Sequence, residues 1–172
     1  MEQNIKYGLA GAASVKKKNY SYLFINVLLA IILPLLSVLW DCLYEHETFS
    51  WELIGKWFIF FAVGIRLFTA GISQASNPAF TGGIFKMKTT ESFAIIRELG
   101  FANISLGVMG ILSVLNNNWR VMAAVTGGLF LGLAGIYHLF KKPDSSNELI
   151  AMVYDLFALV IIILYLSVTL FF

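Results

Sequence analysis

Charged residues are scarce in this sequence, and so are cysteine, proline and histidine. Lysine, arginine, aspartate and glutamate make up 13% of the 172 residues, whereas hydrophobic residues make up 59%. An average soluble domain contains about 25% charged and roughly 45–50% apolar residues. A soluble globule of this composition would expose large apolar patches, which a lipid bilayer accepts as its solvent-facing surface. The composition therefore excludes an ordinary soluble domain and favours an integral membrane protein.

Several kinds of site are excluded by the same scarcity. The single cysteine, Cys42, rules out an internal disulfide and any centre with several cysteine ligands. The net charge is +2, and the basic residues are too dispersed to form the face that nucleic acid requires. His46 between two flexible glutamates is a poor metal site. We find no catalytic motif, and we predict no cofactor, no metal and no nucleic-acid partner.

Five apolar runs are long enough to cross a membrane: 20–42, 57–74, 92–115, 121–140 and 149–172. A helical span needs about 20 mostly apolar residues, and a lone segment in lipid must satisfy its own backbone polar groups. The first run follows three lysines, as in a signal peptide, but it exceeds the roughly 7–15 residues of a signal-peptide core. We therefore predict one all-α domain, a polytopic bundle of five spans in the bilayer.

Lysine and arginine are distributed unequally between the two sides of this topology. One side carries eight lysines: Lys6, Lys16, Lys17, Lys18, Lys86, Lys88, Lys141 and Lys142. The other side has Lys56 and Arg120 near span ends, together with an acidic cluster, and the four tryptophans also fall at this boundary. Because basic loops stay inside, we predict a cytoplasmic N-terminus and an extracytoplasmic C-terminus in the cell membrane.

The connections between the runs differ in length. Asn116, Asn117 and Asn118 form a very tight connection, so we expect runs three and four to make an antiparallel hairpin. The longest loop, residues 75–91, combines aromatic residues with lysines. It is compatible with a short interfacial helix and equally with an ordinary basic loop.

Small residues mark one face on each of two spans. Ala124, Gly128 and Gly132 lie four residues apart in the fourth run, with Gly135 close to the same face. In the third run, Gly100, Asn103, Gly107 and Gly110 form one helical stripe. Such spacing allows close approach of a partner helix, so we expect the two stripes to face each other. Homodimerisation through the Gly128 face is the alternative.

Ionisable residues inside spans are costly and usually face a partner or a wet cavity. Arg66, Glu98 and Asp155 lie within the second, third and fifth runs at similar depths in the predicted cytoplasmic half, which predicts that they meet. The other polar candidates in the spans are Asn26, Asn103 and His138. Together they predict either a ligand-binding or proton-accepting layer, or a structural ion-pair network that fixes helix register.

Four stretches carry a resemblance to a known group of membrane proteins. They are VGIRLFTAGISQ around Arg66, IRELGFANISLGVMGILS around Glu98, GGLFLGLAGIYHLF and NELIAMVYDLF. From about Trp57 onward the chain resembles an uncharacterised family of small bacterial and archaeal membrane proteins that is distantly DoxX-like. This resemblance implies a four-helix membrane bundle to which the first span is an addition. Some DoxX-like proteins are linked to quinone-coupled sulfur oxidation or thiol stress, and the residues carried over are Arg66 and Glu98.

Three functions remain open from the sequence. The first is binding of a lipophilic molecule, such as a quinone or a lipid, in a polar pocket in the cytoplasmic half. The second is a small proton-coupled transporter or channel. The third is a structural or accessory subunit of a membrane complex. A ligand pocket with convergent polar groups favours the first, and a continuous wet path favours the second.

Overall fold

A computed structural model describes residues 20–84 and 91–171 of the chain. Within these residues there are six helices and no strand. They are α1 Tyr20–Tyr44, α2 Trp51–Ser76, α3 Pro78–Ile84, α4 Ser92–Leu112 with a 3₁₀ turn Ser113–Leu115, α5 Asn117–Lys141 and α6 Ser146–Phe171. All except α3 are long and apolar enough to span a membrane. The prediction of an all-α bundle with five membrane-spanning helices is confirmed.

Helices α2, α5 and α6 begin earlier than the apolar runs, and polar residues cap the first two. The Ser50 side chain accepts a hydrogen bond from the Leu53 backbone over 3.2 Å, so α2 begins at Trp51 rather than at residue 57. The Asn116 side chain accepts from the Asn118 backbone over 2.8 Å, so α5 follows the 3₁₀ turn after a single residue. Capping satisfies the free N–H groups of a first helical turn, whatever its hydropathy.

We refer to the two ends of the bundle as the Lys141 end and the Trp51 end. The Lys141 end holds the start of α1, the end of α2, the starts of α4 and α6, and the end of α5. The Trp51 end holds the opposite termini. The short helix α3 lies at the Lys141 end and packs against α4. It occupies the start of the loop for which an interfacial helix was considered, whereas residues 85–90 of that loop lie outside the described residues.

The stripe of glycines on α4 packs against α2. A methyl group added at Gly110 would lie 2.6 Å from the Gly64 backbone, and one added at Gly100 would lie 2.9 Å from the Gly71 carbonyl oxygen. Phe68 lies over Gly107, where a methyl group would be 2.4 Å from the Phe68 nitrogen. Only glycine permits backbones to approach so closely.

The stripe on α5 packs instead against α6. A methyl group added at Gly128 would lie 2.8 Å from the Ile162 side chain, and one added at Gly132 would lie 2.8 Å from the Leu159 side chain, both on α6. The prediction that the two small-residue stripes face each other is therefore wrong. The face considered for homodimerisation is covered by α6 of the same chain. Small residues show that a face is closely packed, but their spacing does not identify the neighbouring helix.

Helix α1 lies at the periphery of the bundle. It packs against α2 and, near its start, against α6. It buries one face, and most of its large apolar side chains elsewhere are exposed. The centre of the bundle is α2, whose Ile59, Ala62 and Val63 have no exposed surface. Any polar group that α2 presents toward α1 is thus separated from lipid by a single helix.

Candidate functional site: a buried arginine and its polar neighbours

Two π-helical segments lie close to the best candidate site. They are Leu28–Ile32 in α1 and Ile59–Ile65 in α2, and they contact each other. At the end of the second, the Arg66 backbone N–H bonds to the carbonyls of Phe61 and Val63 instead of that of Ala62, which would be its partner in an α-helix. The Ala62 carbonyl accepts a hydrogen bond from the Tyr154 hydroxyl over 2.8 Å. Single π turns within α-helices are frequent at functional sites.

Arg66 is the centre of the site and connects three helices. Its Nη2 lies 3.2 Å from Oδ1 of Asp155 on α6, and its Nε donates to Oδ1 of Asn26 on α1 over 3.2 Å. The guanidinium lies over the ring of Tyr154, 3.9 Å from the centroid, which is a favourable cation–π geometry. The structure thus brings together three residues proposed from the sequence, Arg66, Asp155 and Asn26, and adds Tyr154.

The arginine–aspartate pair is buried but incompletely hydrogen-bonded. The side chains of Arg66 and Asp155 are 15% and 7% exposed. Their separation is that of an ion pair, and within residues 20–84 and 91–171 the Asp155 Oδ1 atom has no well-aligned hydrogen bond. The guanidinium contacts Asn26 through Nε and Asp155 through Nη2, and the Tyr22 side chain lies within hydrogen-bonding reach of it. These contacts use some of its five N–H donors. Both partners therefore retain capacity for a further polar contact.

A second polar cluster lies at the Lys141 end, about two helical turns from Asp155. Glu148 is 2% exposed, and its Oε1 lies 3.1 Å from both His138 Nδ1 and Lys141 Nζ. Its other oxygen accepts a hydrogen bond from the Asp144 backbone over 2.9 Å. His138, proposed from the sequence, belongs to this cluster and also interacts electrostatically with Asp155.

Sequence reasoning missed Glu148 because it precedes the fifth apolar run. Ser145 and Glu148 have the spacing of a capping box, and the Glu148 backbone does donate to the Ser145 hydroxyl over 3.2 Å. That pattern would have extended the helix to include the glutamate. Its carboxylate then turns toward α5 rather than toward water.

Two other proposed residues lie apart from Arg66. Glu98 is exposed on α4, and its carboxylate makes no ion pair with any residue that the structure describes. The prediction that Glu98 meets Arg66 is therefore wrong: equal depth along two helices does not place two side chains on facing sides. Asn103 is buried between α4 and α2, where its amide donates to the Gln74 side chain over 2.6 Å.

The Trp51 end holds ion pairs between helix termini. Asp41 accepts hydrogen bonds from Lys56 over 2.7 Å and from the Trp57 indole over 2.9 Å, which ties α1 to α2. Arg120 is buried and contacts Asn117 and, over 3.4 Å, Glu52. The sequence had indicated Asn117 as part of a tight connection and the other residues only as markers of membrane orientation.

A groove of about 250 Å³ opens on the seam between α1 and α2, nearer the Trp51 end. It is lined by Leu36, Ser37, Trp40 and Trp57. The groove is mainly apolar, with one hydroxyl. Among the described residues there is no group of three or more histidine, cysteine, aspartate or glutamate side chains that would hold a metal ion.

Five apolar helices around a buried ion pair define a multi-pass α-helical membrane protein. The chain belongs to a family of unknown function, DUF6790, whose model matches residues 19–172. No curated protein and no solved structure matches the chain. The match agrees with the expectation of an uncharacterised membrane-protein family, whereas the DoxX-like character and the prokaryotic origin stay predictions.

Proposed function

We propose that this protein binds a lipophilic molecule with a polar head at the seam between α1 and α2, where Arg66 contacts the head. The observation that carries the proposal is the guanidinium itself. It is a permanent charge in the membrane-spanning part of α2, held by a hydrogen bond from Nε and an ion pair at Nη2, and it remains 15% exposed.

Arg66 lies deep in the membrane-spanning part of α2, where an N–H group without an acceptor costs free energy. Arg66 is ten residues from the end of α2 at Ser76, which corresponds to about 15 Å at the rise of an α-helix. Lipid chains offer no hydrogen-bond acceptor at such a depth. A ligand carbonyl, carboxylate or phosphate oxygen would provide one for the N–H groups that Asn26, Asp155 and Tyr22 leave over, and the planar guanidinium suits such acceptors.

The seam itself suits a molecule that arrives from the bilayer. Helix α1 separates Arg66 from lipid, and its Asn26 and Tyr22 side chains face the guanidinium. Farther along the same seam, the groove between Leu36, Ser37, Trp40 and Trp57 is apolar enough for a hydrocarbon tail. A quinone or a phospholipid has this combination of a polar head and an apolar tail.

The proposal includes location and orientation. We place the protein in the cell membrane with the Lys141 end facing the cytoplasm, because the topology predicted from the sequence assigns the eight lysines to the cytoplasmic side. A distant DoxX-like relationship, which implies a quinone-linked setting, is consistent with the proposed ligand class. The alternative of a purely structural subunit predicts no retained ligand.

The test uses the full chain purified in lipid nanodiscs, with a short-chain ubiquinone analogue and phosphatidylglycerol as separate probes. Native mass spectrometry measures how much of each probe is retained. We expect wild type and Arg97→Gln to retain one probe equally, because Arg97 is an exposed arginine on α4. Arg66→Gln should lose it.

A second variant separates loss of the site from loss of the fold. Ser37→Leu fills the groove without altering any contact of Arg66, and it should weaken retention of a long-tailed probe more than that of a short-tailed one. The proposal would be refuted if Arg66→Gln and Ser37→Leu each retained as much of either probe as wild type does.

A further inference from the structure

His138 on α5 contacts the buried carboxylate of Glu148 and interacts electrostatically with the buried carboxylate of Asp155, both on α6. Its Nδ1 is 3.1 Å from Glu148, and the side chains of His138 and Glu148 are 12% and 2% exposed. Asp155 is seven residues after Glu148, about 10 Å along the same face of α6. At Gly135, one turn before His138, a methyl group would be 3.2 Å from the Asp155 Cβ, so α5 is pressed against this aspartate.

Charged and titratable groups surround the imidazole from every packed element. They are Glu148 and Asp155 on α6, Lys141 and Tyr137 on α5, Asp144 in the connection, and Arg66 on α2 beyond Asp155. Lys141 is 39% exposed and marks where the row reaches the end of the bundle. These groups therefore form a row that extends from the Lys141 end to the buried Arg66–Asp155 pair and includes one histidine, His138.

We propose that Glu148, His138 and Asp155 form a proton-transfer path from the Lys141 end to the interior of the bundle. A proton taken up by the Glu148 carboxylate passes to Nδ1 of His138. The resulting imidazolium releases its Nε2 proton toward the Asp155 carboxylate. One proton enters at Glu148 and one arrives at Asp155, and the imidazole changes tautomer.

The residue types suit this role. Histidine changes charge near neutral pH and carries two exchangeable nitrogens, so it can accept at one side and release at the other. Neutral Asp155 would no longer offset the charge of Arg66, so a proton that arrives there changes the electrostatics of the buried pair. The path does not depend on the lipophilic ligand, and its test involves none.

The first test is a pH titration of the full chain in nanodiscs with ¹⁵N-labelled histidine. The protein has two histidines, and His46, which is exposed in the segment between α1 and α2, serves as the internal reference. At a fixed pH we expect the imidazolium fraction of His138 to fall in Glu148→Gln and in Asp155→Asn. It should rise in Lys141→Gln, because Glu148 then pairs with His138 alone.

The opposite sign of Lys141→Gln keeps the test valid if Glu148→Gln does not fold, since Lys141 is the most exposed member of the cluster. The His46 signal should be the same in all variants. A His138 titration that is unchanged by Asp155→Asn, or one that matches His46 in every variant, would overturn the proposal.

The second test measures transfer rather than equilibrium. Time-resolved infrared spectroscopy after a pH drop should show a protonated carboxyl band that Asp155→Asn abolishes. His138→Gln should slow the rise of this band by about tenfold or more, because a positioned carrier accelerates proton transfer. A purely structural histidine would leave the rate unchanged, and that result, or the absence of the band from wild type, would contradict the path.

Discussion

The carboxylate of Asp41 accepts a hydrogen bond from Lys56 over 2.7 Å, although the two residues lie on different helices at the Trp51 end. The Asp41 side chain is 8% exposed and also accepts from the Trp57 indole. In the half of the bundle toward the Lys141 end, α1 contacts Arg66 through Asn26 and Tyr22. Polar contacts thus attach helix α1 to the bundle in each half, and the apolar groove between α1 and α2 lies nearer Asp41.

The first prediction concerns this attachment. Lys56→Gln leaves the buried Asp41 carboxylate with only the indole as a partner, and should lower the free energy of unfolding by about 1–3 kcal/mol, the cost of leaving a buried polar group unsatisfied. Glu45→Gln is the matched control, because Glu45 is an exposed acid close to Asp41 in the chain. Thermal unfolding in nanodiscs measures both. Equal melting of the two variants would contradict the role of Asp41.

The second prediction assigns the partner of Arg66. Breaking a buried ion pair costs about 3–5 kcal/mol in soluble proteins, and less in membranes because water defects relieve the charge. Arg66→Gln should destabilise the protein, and a second change, Asp155→Asn, should restore part of the loss. Glu98→Gln should restore none, since Glu98 is exposed and lies apart from Arg66.

A double-mutant cycle on unfolding free energies measures this coupling. Coupling of Arg66 to Glu98 but not to Asp155 would show that the observed pairing is not the one that stabilises the protein in the bilayer.

The third prediction concerns the contact between α2 and α4. Gly110→Ala places a methyl group 2.6 Å from the Gly64 backbone, so the helices must separate, at a cost of about 1–3 kcal/mol for overpacking. Gly82→Ala is the matched control, because its nearest contact would be the Phe93 side chain at 3.3 Å. In detergent, the melting temperature should be lower than that of wild type for Gly110→Ala only. If both variants melt like wild type, α2 and α4 do not pack this closely.

The fourth prediction concerns orientation and uses the single native cysteine. Cys42 is a partly exposed free thiol near the end of α1 at the Trp51 end. If this end faces outward, as the distribution of lysines predicts, a membrane-impermeant maleimide added to whole cells should label it. A reporter fused after Phe172 should also be active only outside the cytoplasm. Cys42→Ser is the control for labelling, and a cytoplasmically active reporter would contradict the orientation.

Some of the residues around Arg66 could be predicted from the sequence and others could not. Arg66, Asp155 and Asn26 were selected because polar groups in apolar helices need partners, and the structure joins them. Glu98 was selected by the same argument and lies on an exposed face. Tyr154 was not selected, since its role depends on a carbonyl that a π-helical segment leaves available to its hydroxyl. No hydropathy pattern indicates such a segment.

The sequence by itself determined that this is a helical membrane protein with five long apolar helices, and that certain charged residues lie within them. Both follow from the transfer of each segment into lipid, which is a local property of composition and length. Only the tertiary structure decided that α4 packs on α2, that α5 packs on α6, and that Arg66 meets Asp155. These pairings depend on the rotation of each helix about its axis, and a π-helical segment changes the direction of every side chain that follows it.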